Sequence, residues 1–202
     1  MSMKISFLNA PISFQKSLVA KAAVLKDGQT KDCGIYLLDN FEDKDYFKGL
    51  IEKKEWDGAS FLWKMNTNII CSDDTDKFFV LEDEENKCLG YMQVYERDDF
   101  SYKKVSFIET CPTCKNDTKK SNIKYVGETM LAFIAKLSEH FDSGTLIVDR
   151  PMPRARGFYE NKCGFAYRDY GSVDFEALYP TEFNKFIKQN EEHTKSSIEL
   201  LI

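Results

Sequence analysis

Lys124-Tyr125-Val126-Gly127-Glu128-Thr129-Met130-Leu131-Ala132-Phe133-Ile134-Ala135-Lys136-Leu137-Ser138-Glu139-His140-Phe141 is the stretch on which the reading of the chain turns. Its second half predicts an amphipathic helix. Met130, Ile134, Leu137 and Phe141 recur at steps of four and three, and Phe133 widens the stripe. Lys136, Glu139 and His140 fall on the wet side. Gly127 sits in the first turn, where backbone N–H groups have no intrahelical partners and the dipole end is positive. A residue without a side chain there lets an anion approach those amides. Lys124, just upstream, could add a full positive charge. The same residues also describe an ordinary core helix with a glycine near its start, so the flanking chain has to decide.

Downstream, residues 145–149 (Thr-Leu-Ile-Val-Asp) read as a buried strand. Pro151-Met152-Pro153 turns into a short helix over 154–162, ended by Cys163-Gly164. Residues 165–170 and 173–178 read as two more strands, 179–189 as a weakly amphipathic segment, and 191–202 as a mixed tail. Upstream, residues 78–82 and 88–96 read as a hairpin across the polar turn 83–87. Residues 104–110 make a third strand stopped by Pro112, and 112–123 a polar loop. Further back, Phe14, Leu18, Ala22 and Leu25 predict a helix over 13–26, capped by Ser13 and stopped by Asp27-Gly28. A strand over 33–38 and a helix over 40–54, with Phe47, Leu50 and Ile51 inward, follow; residues 59–66 fit either state. The order implies a mixed α/β sheet with helices on its faces.

Composition narrows the function. The chain has 202 residues, 43% hydrophobic, with a formal charge of −5, which suits one globular domain. Without a basic run, nucleic acid is not the expected partner. The N-terminus lacks the apolar core of a signal peptide, and no run approaches the roughly 20 apolar residues of a membrane span. The expected location is the cytoplasm, with no membrane partner. Six cysteines without a secretion signal are expected as thiols, Cys111-Pro112-Thr113-Cys114 included.

Three local signals then coincide in order. A strand ends near a proline at Phe107-Ile108-Glu109-Thr110-Cys111-Pro112. Lys124-x-x-Gly127-x-Thr129 opens a helix. After the next strand comes Ala155-Arg156-Gly157-Phe158-Tyr159-Glu160-Asn161-Lys162-Cys163-Gly164-Phe165. Together they resemble the acyl-CoA-dependent N-acetyltransferases of the GNAT superfamily. The second is similar to that family's Arg/Gln-x-x-Gly-x-Gly/Ala pyrophosphate loop, and the third to its Ala-x-x-Phe/Leu-Tyr-x-x-x-Gly-Phe signature. The chain departs from the pattern at Lys124 and Thr129, in the longer loop 113–123, and in Pro151-Met152-Pro153 where an Asn is frequent.

The resemblance implies an α/β (α+β) fold with a mixed, mostly antiparallel sheet and helices on both faces. It divides the chain into an N-terminal helical extension (1–34), a GNAT-like domain (35–178) and a C-terminal helical tail (179–202). It implies acetyl-CoA as co-substrate, no metal, and direct transfer to an amine of a small molecule or peptide; a homodimer is a compatible assembly. Cofactor contacts are expected from Thr110, Cys111, Lys124, Tyr125, Val126, Gly127, Glu128 and Thr129. Tyr159 takes the general-acid position, and Glu109, near the end of the strand that meets the cofactor, is the candidate base. Two other readings stand beside this one. One is a non-catalytic acyl-CoA-binding regulatory module of the same fold. The other is a zinc or redox interaction protein using Cys111 and Cys114.

Overall fold

A two-residue turn corrects the first expectation. Asp27 and Gly28 have φ of 53° and 79°, and Lys26 pairs directly with Gln29. Two consecutive positive φ values define the Asp-Gly hairpin turn whose twist matches antiparallel strands. The residues before it are therefore strand β1 (Ser17–Lys26), not a helix, and those after it are β2 (Gln29–Leu38). Asp-Gly ends a helix and closes a hairpin equally well, and the apolar spacing of 13–26 did not separate the two.

The protein was described from a computed structural model, which covers residues 16–38, 77–96, 102–111, 114, 122–141, 144–171 and 173–202. The helix read over 40–54 and the segment 59–66 lie outside the described residues, as does most of the loop 112–123. The remaining strands are β3 (Lys77–Asp83), β4 (Cys88–Glu96), β5 (Tyr102–Thr110), β6 (Ile123–Lys124), β7 (Thr145–Asp149), β8 (Ala166–Asp169), β9 (Asp174–Leu178) and β10 (Glu199–Leu200). Those read at 78–82, 88–96, 104–110, 145–149, 165–170 and 173–178 agree to within a few residues.

Among the described residues the ten strands form one sheet in the order β10-β1-β2-β3-β4-β5-β7-β9-β8, with β6 also on β1, and only the β5–β7 pair is parallel. Residues 17–34 are thus part of the sheet rather than a helical extension, and the tail returns to it through β10. Helix α1 (Val126–His140) connects the two parallel strands. An irregular helix, α2 (residues 153–163), follows β7 as a 3₁₀ turn, one α-turn and a π-helical stretch Tyr159–Cys163. Helix α3 (Pro180–Thr194) ends at Lys195, which has φ 57°.

The three helices bury their apolar stripes in one large core with Val24, Ile35, Leu81, Met92, Val105 and Val148. A smaller cluster of Leu38, Phe78, Val80 and Tyr91 occupies the other face of the sheet. The face of β4 under α1 is opened by Gly90. A Cβ there would stand 2.8 Å from Met130 Sδ and 3.0 Å from both Val126 Cγ1 and the Glu109 carbonyl oxygen. Gly90→Ala forces α1 and β4 apart and is expected to cost about 1–3 kcal/mol. A lower urea midpoint followed by circular dichroism checks it; an unchanged midpoint contradicts the packing described.

Candidate active site at the strand fork

The parallel ladder between β5 and β7 is short. Tyr102 to Val105 pair with Thr145 to Val148, and there the pairing stops. The register of β5 on β4 shows the cause. Val105 pairs with Val94 and Phe107 with Gln93, so Ser106 is an extra residue. A bulge of this kind bends its strand and strengthens the local twist. Beyond it β5 leans away, while β7 is drawn toward β9 by the Asp149–Phe175 pair and by the Arg150 N–H donating to the Asp174 carbonyl at 3.1 Å. An ion pair of Lys104 Nζ with Asp149 Oδ2 (3.1 Å) ties the two strands just short of the split. Residues 106–110 therefore keep one edge without a ladder partner among the described residues. An unpaired edge offers amides and carbonyls to an extended ligand.

The two faces of this edge differ. Ile108 packs into the larger core and Phe107 against the smaller cluster. Alternation along the strand then places Thr110 on the helix face and Glu109 on the other, where it pairs across with Tyr91. Cys111 continues the pairing by donating its N–H to the Leu89 carbonyl (2.8 Å), and its own carbonyl accepts from Cys114 N–H. That turn brings the Cα atoms of Cys111 and Cys114 to 5.0 Å, and the two sulfurs are joined as a disulfide. This corrects the expectation of two free thiols, which came from the absence of a secretion signal and could not register a local turn. With the sulfurs bonded to each other, neither is a thiolate ligand for zinc. Among the described residues no group of three or more metal-ligating side chains is found.

Helix α1 points its start at the end of β5. A Cβ on Gly127 would meet Thr110 Cγ2 at 3.4 Å and the Phe158 ring at 3.5 Å, so β5, α1 and α2 meet at this glycine. Tyr125, the residue before the helix, has φ 69° and makes no side-chain cap. The Thr129 N–H already donates to the Tyr125 carbonyl (2.8 Å). The amides left for an anion are those of Val126, Gly127 and Glu128.

The side chains of this turn are held from behind. Thr129 Oγ1 donates to the Ala23 carbonyl and accepts from Asn190 Nδ2, both at 3.1 Å. The buried Glu128 carboxylate lies 2.7 Å from His193 Nδ1, and the His193 ring stacks on Tyr125 with centroids 4.7 Å apart. Glu128, Thr129 and Tyr125 are thus engaged by α3 and β1, whereas Lys124 is exposed on β6. Sequence reasoning missed Asn190 and His193, because they lie in the tail and reach α1 only through the fold.

Tyr159 lies on α2 between Phe158 and Phe165 and is 6% exposed. Burial first, then Cys163 and Glu176, push its phenol above the ordinary range. Glu176 is a third residue missed. In the β9 stretch Asp174-Phe175-Glu176-Ala177-Leu178 a glutamate reads as solvent-facing, yet Glu176 is fully buried opposite Val148 and Tyr167. Neither carboxylate oxygen has a hydrogen-bond partner among the described residues. Burial, then Glu160 and Asp174, outweigh the nearby Arg156 and push its carboxyl up to about 7.

No family model matches the chain, and neither does any curated protein. Solved structures do match. A protein assigned to the GNAT acetyltransferase family from Desulfovibrio desulfuricans superposes with a TM-score of 0.51 at 12% identity, over 73% of this chain and 99% of that one. The dodecameric spermidine N-acetyltransferase of Vibrio cholerae gives 0.48 at 14%, over 75% and 95%. A GNAT-family acetyltransferase of Staphylococcus aureus gives 0.45 at 14%, over 72% and 99%. The chain has the GNAT fold: a mixed, mostly antiparallel open sheet with helices packed on it. At such identity it is the fold that carries over.

Glu176 makes the site's stability pH-dependent. Its folded-state affinity for a proton exceeds the unfolded one, so its stabilising contribution is full below the ordinary glutamate range and lost as pH rises through about 7. The thermal midpoint of the native protein is expected to fall between about pH 5 and pH 8 by more than that of Glu176→Gln. Parallel curves for the two proteins would refute the buried, unpaired carboxyl.

Proposed function

We propose that this protein is an N-acetyltransferase that moves an acetyl group from acetyl-CoA to an amine acceptor by direct transfer. The observation that carries the reading is the meeting of the β5 end beyond its β7 ladder, the uncapped start of α1 and the Tyr159 helix around Gly127. The residues present fit the cofactor. Backbone groups can pair along residues 106–110 as far as Thr110, the Cys111 N–H being already given to the Leu89 carbonyl, and a pyrophosphate can sit on the amides of Val126, Gly127 and Glu128 with Lys124 at its flank. Tyr125 and Thr129 border that turn and fix its shape. Acetyl-CoA would supply an activated thioester.

The chain's own groups then divide the proton work between two faces. An ammonium must lose a proton before its nitrogen can attack. Glu109, on the face away from the helices, receives that proton directly or through a water. Tyr159, on the helix face, holds its phenolic proton at neutral pH and gives it to the departing sulfur. A base and an acid on opposite sides of one strand edge suit an acceptor that enters from the Glu109 side. The acceptor class is an amine of a small molecule or peptide, and a homodimer is the assembly proposed. No described helix is long and apolar enough to cross a membrane.

CoA at about 100 times its Kd is expected to stabilise the protein by ~2.7 kcal/mol, which is roughly 5–10 °C in Tm for a chain of this size. Tyr159→Phe is expected to leave that shift intact and lower kcat by about 10²-fold in a thiol-release assay over an amine and peptide panel. No shift with either CoA or acetyl-CoA would remove the cofactor reading. A full shift without thiol release would instead fit a domain that holds acyl-CoA and does not turn it over.

A further inference from the structure

Among the described cysteines, Cys111 and Cys114 are bonded to each other, while Cys33, Cys88 and Cys163 are free thiols. Burial makes those three poor thiolates: it pushes Cys33 up to about 12, and moves Cys88 and Cys163 upward as well. Sulfur redox chemistry in the described chain is thus concentrated at one turn.

That turn adjoins the candidate site. Cys111 directly follows Thr110, whose Cγ2 is the first atom a Cβ on Gly127 would meet, at 3.4 Å. The Cys111 N–H carries the β5–β4 pairing on to the Leu89 carbonyl, and the Cys111 carbonyl accepts from Cys114 N–H. Both side chains belong to the larger core, with only 3% and 5% exposure. As a staple the bridge is poorly placed. A cross-link constrains the unfolded chain most when it closes a long loop, and these residues are three positions apart. The turn also has its own backbone bond. As a local control the bridge is well placed. Two thiols each keep a full van der Waals surface and need more room than two bonded sulfurs. In a close-packed interior the turn has to open to admit them, and the end of β5 moves with it.

We propose that the Cys111–Cys114 pair is a redox switch on the cofactor site: the disulfide form holds the end of β5 against the start of α1, and the dithiol form binds CoA more weakly. The inference rests on the cofactor site of the acetyltransferase reading above and adds regulation to it.

The co-reactant is a dithiol of the class that exchanges with protein disulfides. One of its thiolates attacks one sulfur of the bridge. The sulfur–sulfur bond breaks, and its electron pair leaves on the other sulfur, which takes a proton. The second thiolate of the co-reactant then displaces the first sulfur from the mixed disulfide, and that sulfur is protonated in turn. The protein gains two electrons and two protons and ends with two thiols; the co-reactant loses them and ends as a disulfide. Oxidation is the same exchange run backward. Redox state and binding are then linked. A ligand that prefers the disulfide form by a given factor makes the bridge harder to reduce by the same factor.

The test uses the full chain and S-methyl-CoA, a thioether with no thiol to exchange. Protein oxidised with glutathione disulfide and protein reduced with dithiothreitol are first alkylated after denaturation. The reduced form is expected to take up two more labels per chain, on Cys111 and Cys114. Equal labelling overturns the switch. Calorimetry is expected to give a Kd for S-methyl-CoA about tenfold lower for the oxidised form, and saturating ligand is expected to shift the disulfide equilibrium in a glutathione buffer by about the same factor. Cys111→Ser/Cys114→Ser is expected to bind as weakly as reduced protein and to ignore dithiothreitol; if it does not fold, the native titration decides alone. The same Kd in both redox forms overturns the switch and leaves the cofactor reading standing. Binding to neither form overturns both.

Discussion

Ser106 is one residue more than β4 can match, and much of the molecule is arranged around that surplus. The bulge ends the parallel ladder at Val105 and Val148 and leaves the last five residues of β5 without a ladder partner on that side among the described residues. Open strand edges expose backbone groups that want partners, and proteins usually cover or close them. Here the two sides of the fork are held by different helices within one core. Helix α1 keeps β5 on β4 through Val126 and Met130 over Gly90. Helix α2 is tied to β9 by the Arg156 Nη2 contact with Asp174 Oδ2 at 2.7 Å. The core is continuous beneath a sheet whose β5–β7 pairing stops at one place, and that place is where the candidate chemistry lies.

Holding the start of α1 in register is a second requirement, and the C-terminal helix meets it. A tyrosine at φ 69° is in a region that L-residues occupy at a cost on the order of 1 kcal/mol. Stacking on His193 and the Glu128–His193 contact oppose that cost. Asn190, Thr129 and the Ala23 carbonyl add a buried hydrogen-bonded chain linking α3, α1 and β1. Each such bond contributes about 1 kcal/mol net, but leaving one of these groups unpaired would cost more. The negative side chain of Glu128 is also well placed near the positive end of the helix dipole.

Much of this was legible in the residues and some was not, for reasons that can be stated. The α1 stripe from Met130 to Leu137, the hairpin β3–β4 and β7 followed from period and turn chemistry, whereas Phe141, expected to complete the stripe, lies exposed just past the helix end. The three motif segments quoted from the sequence do converge in space, at Gly127. The first helix expected proved to be a strand because Asp27-Gly28 has two meanings and the alternation in β1 is blurred by small apolar residues such as Ala22 and Ala23. The bulge at Ser106 leaves no local mark, since an extra residue shows only against its partner strand. Glu176, Asn190 and His193 were hidden for the same reason: each takes its environment from elements distant in sequence. The Cys111–Cys114 pair was weighed by compartment and ligand count, while its state in the structure follows from a tight turn.

The way the sheet is closed at its far edge bears on when the protein can fold. Strand β1, made long before β10, takes that strand on its outer side, with Ala20 opposite Leu200 and the Leu201 N–H donating to the Val19 carbonyl at 2.9 Å. The helix that braces the start of α1 immediately precedes that last strand. A nascent chain on the ribosome can form the β1–β2 hairpin early, but β1 must wait for its β10 partner until Leu200, 180 positions after Ala20, has been synthesised and has cleared the exit tunnel. Until then the turn that begins α1 lacks Asn190 and His193. The protein is thus one whose binding-competent form arises after translation of this region, and whose first hairpin depends on protection from premature pairing in the interval.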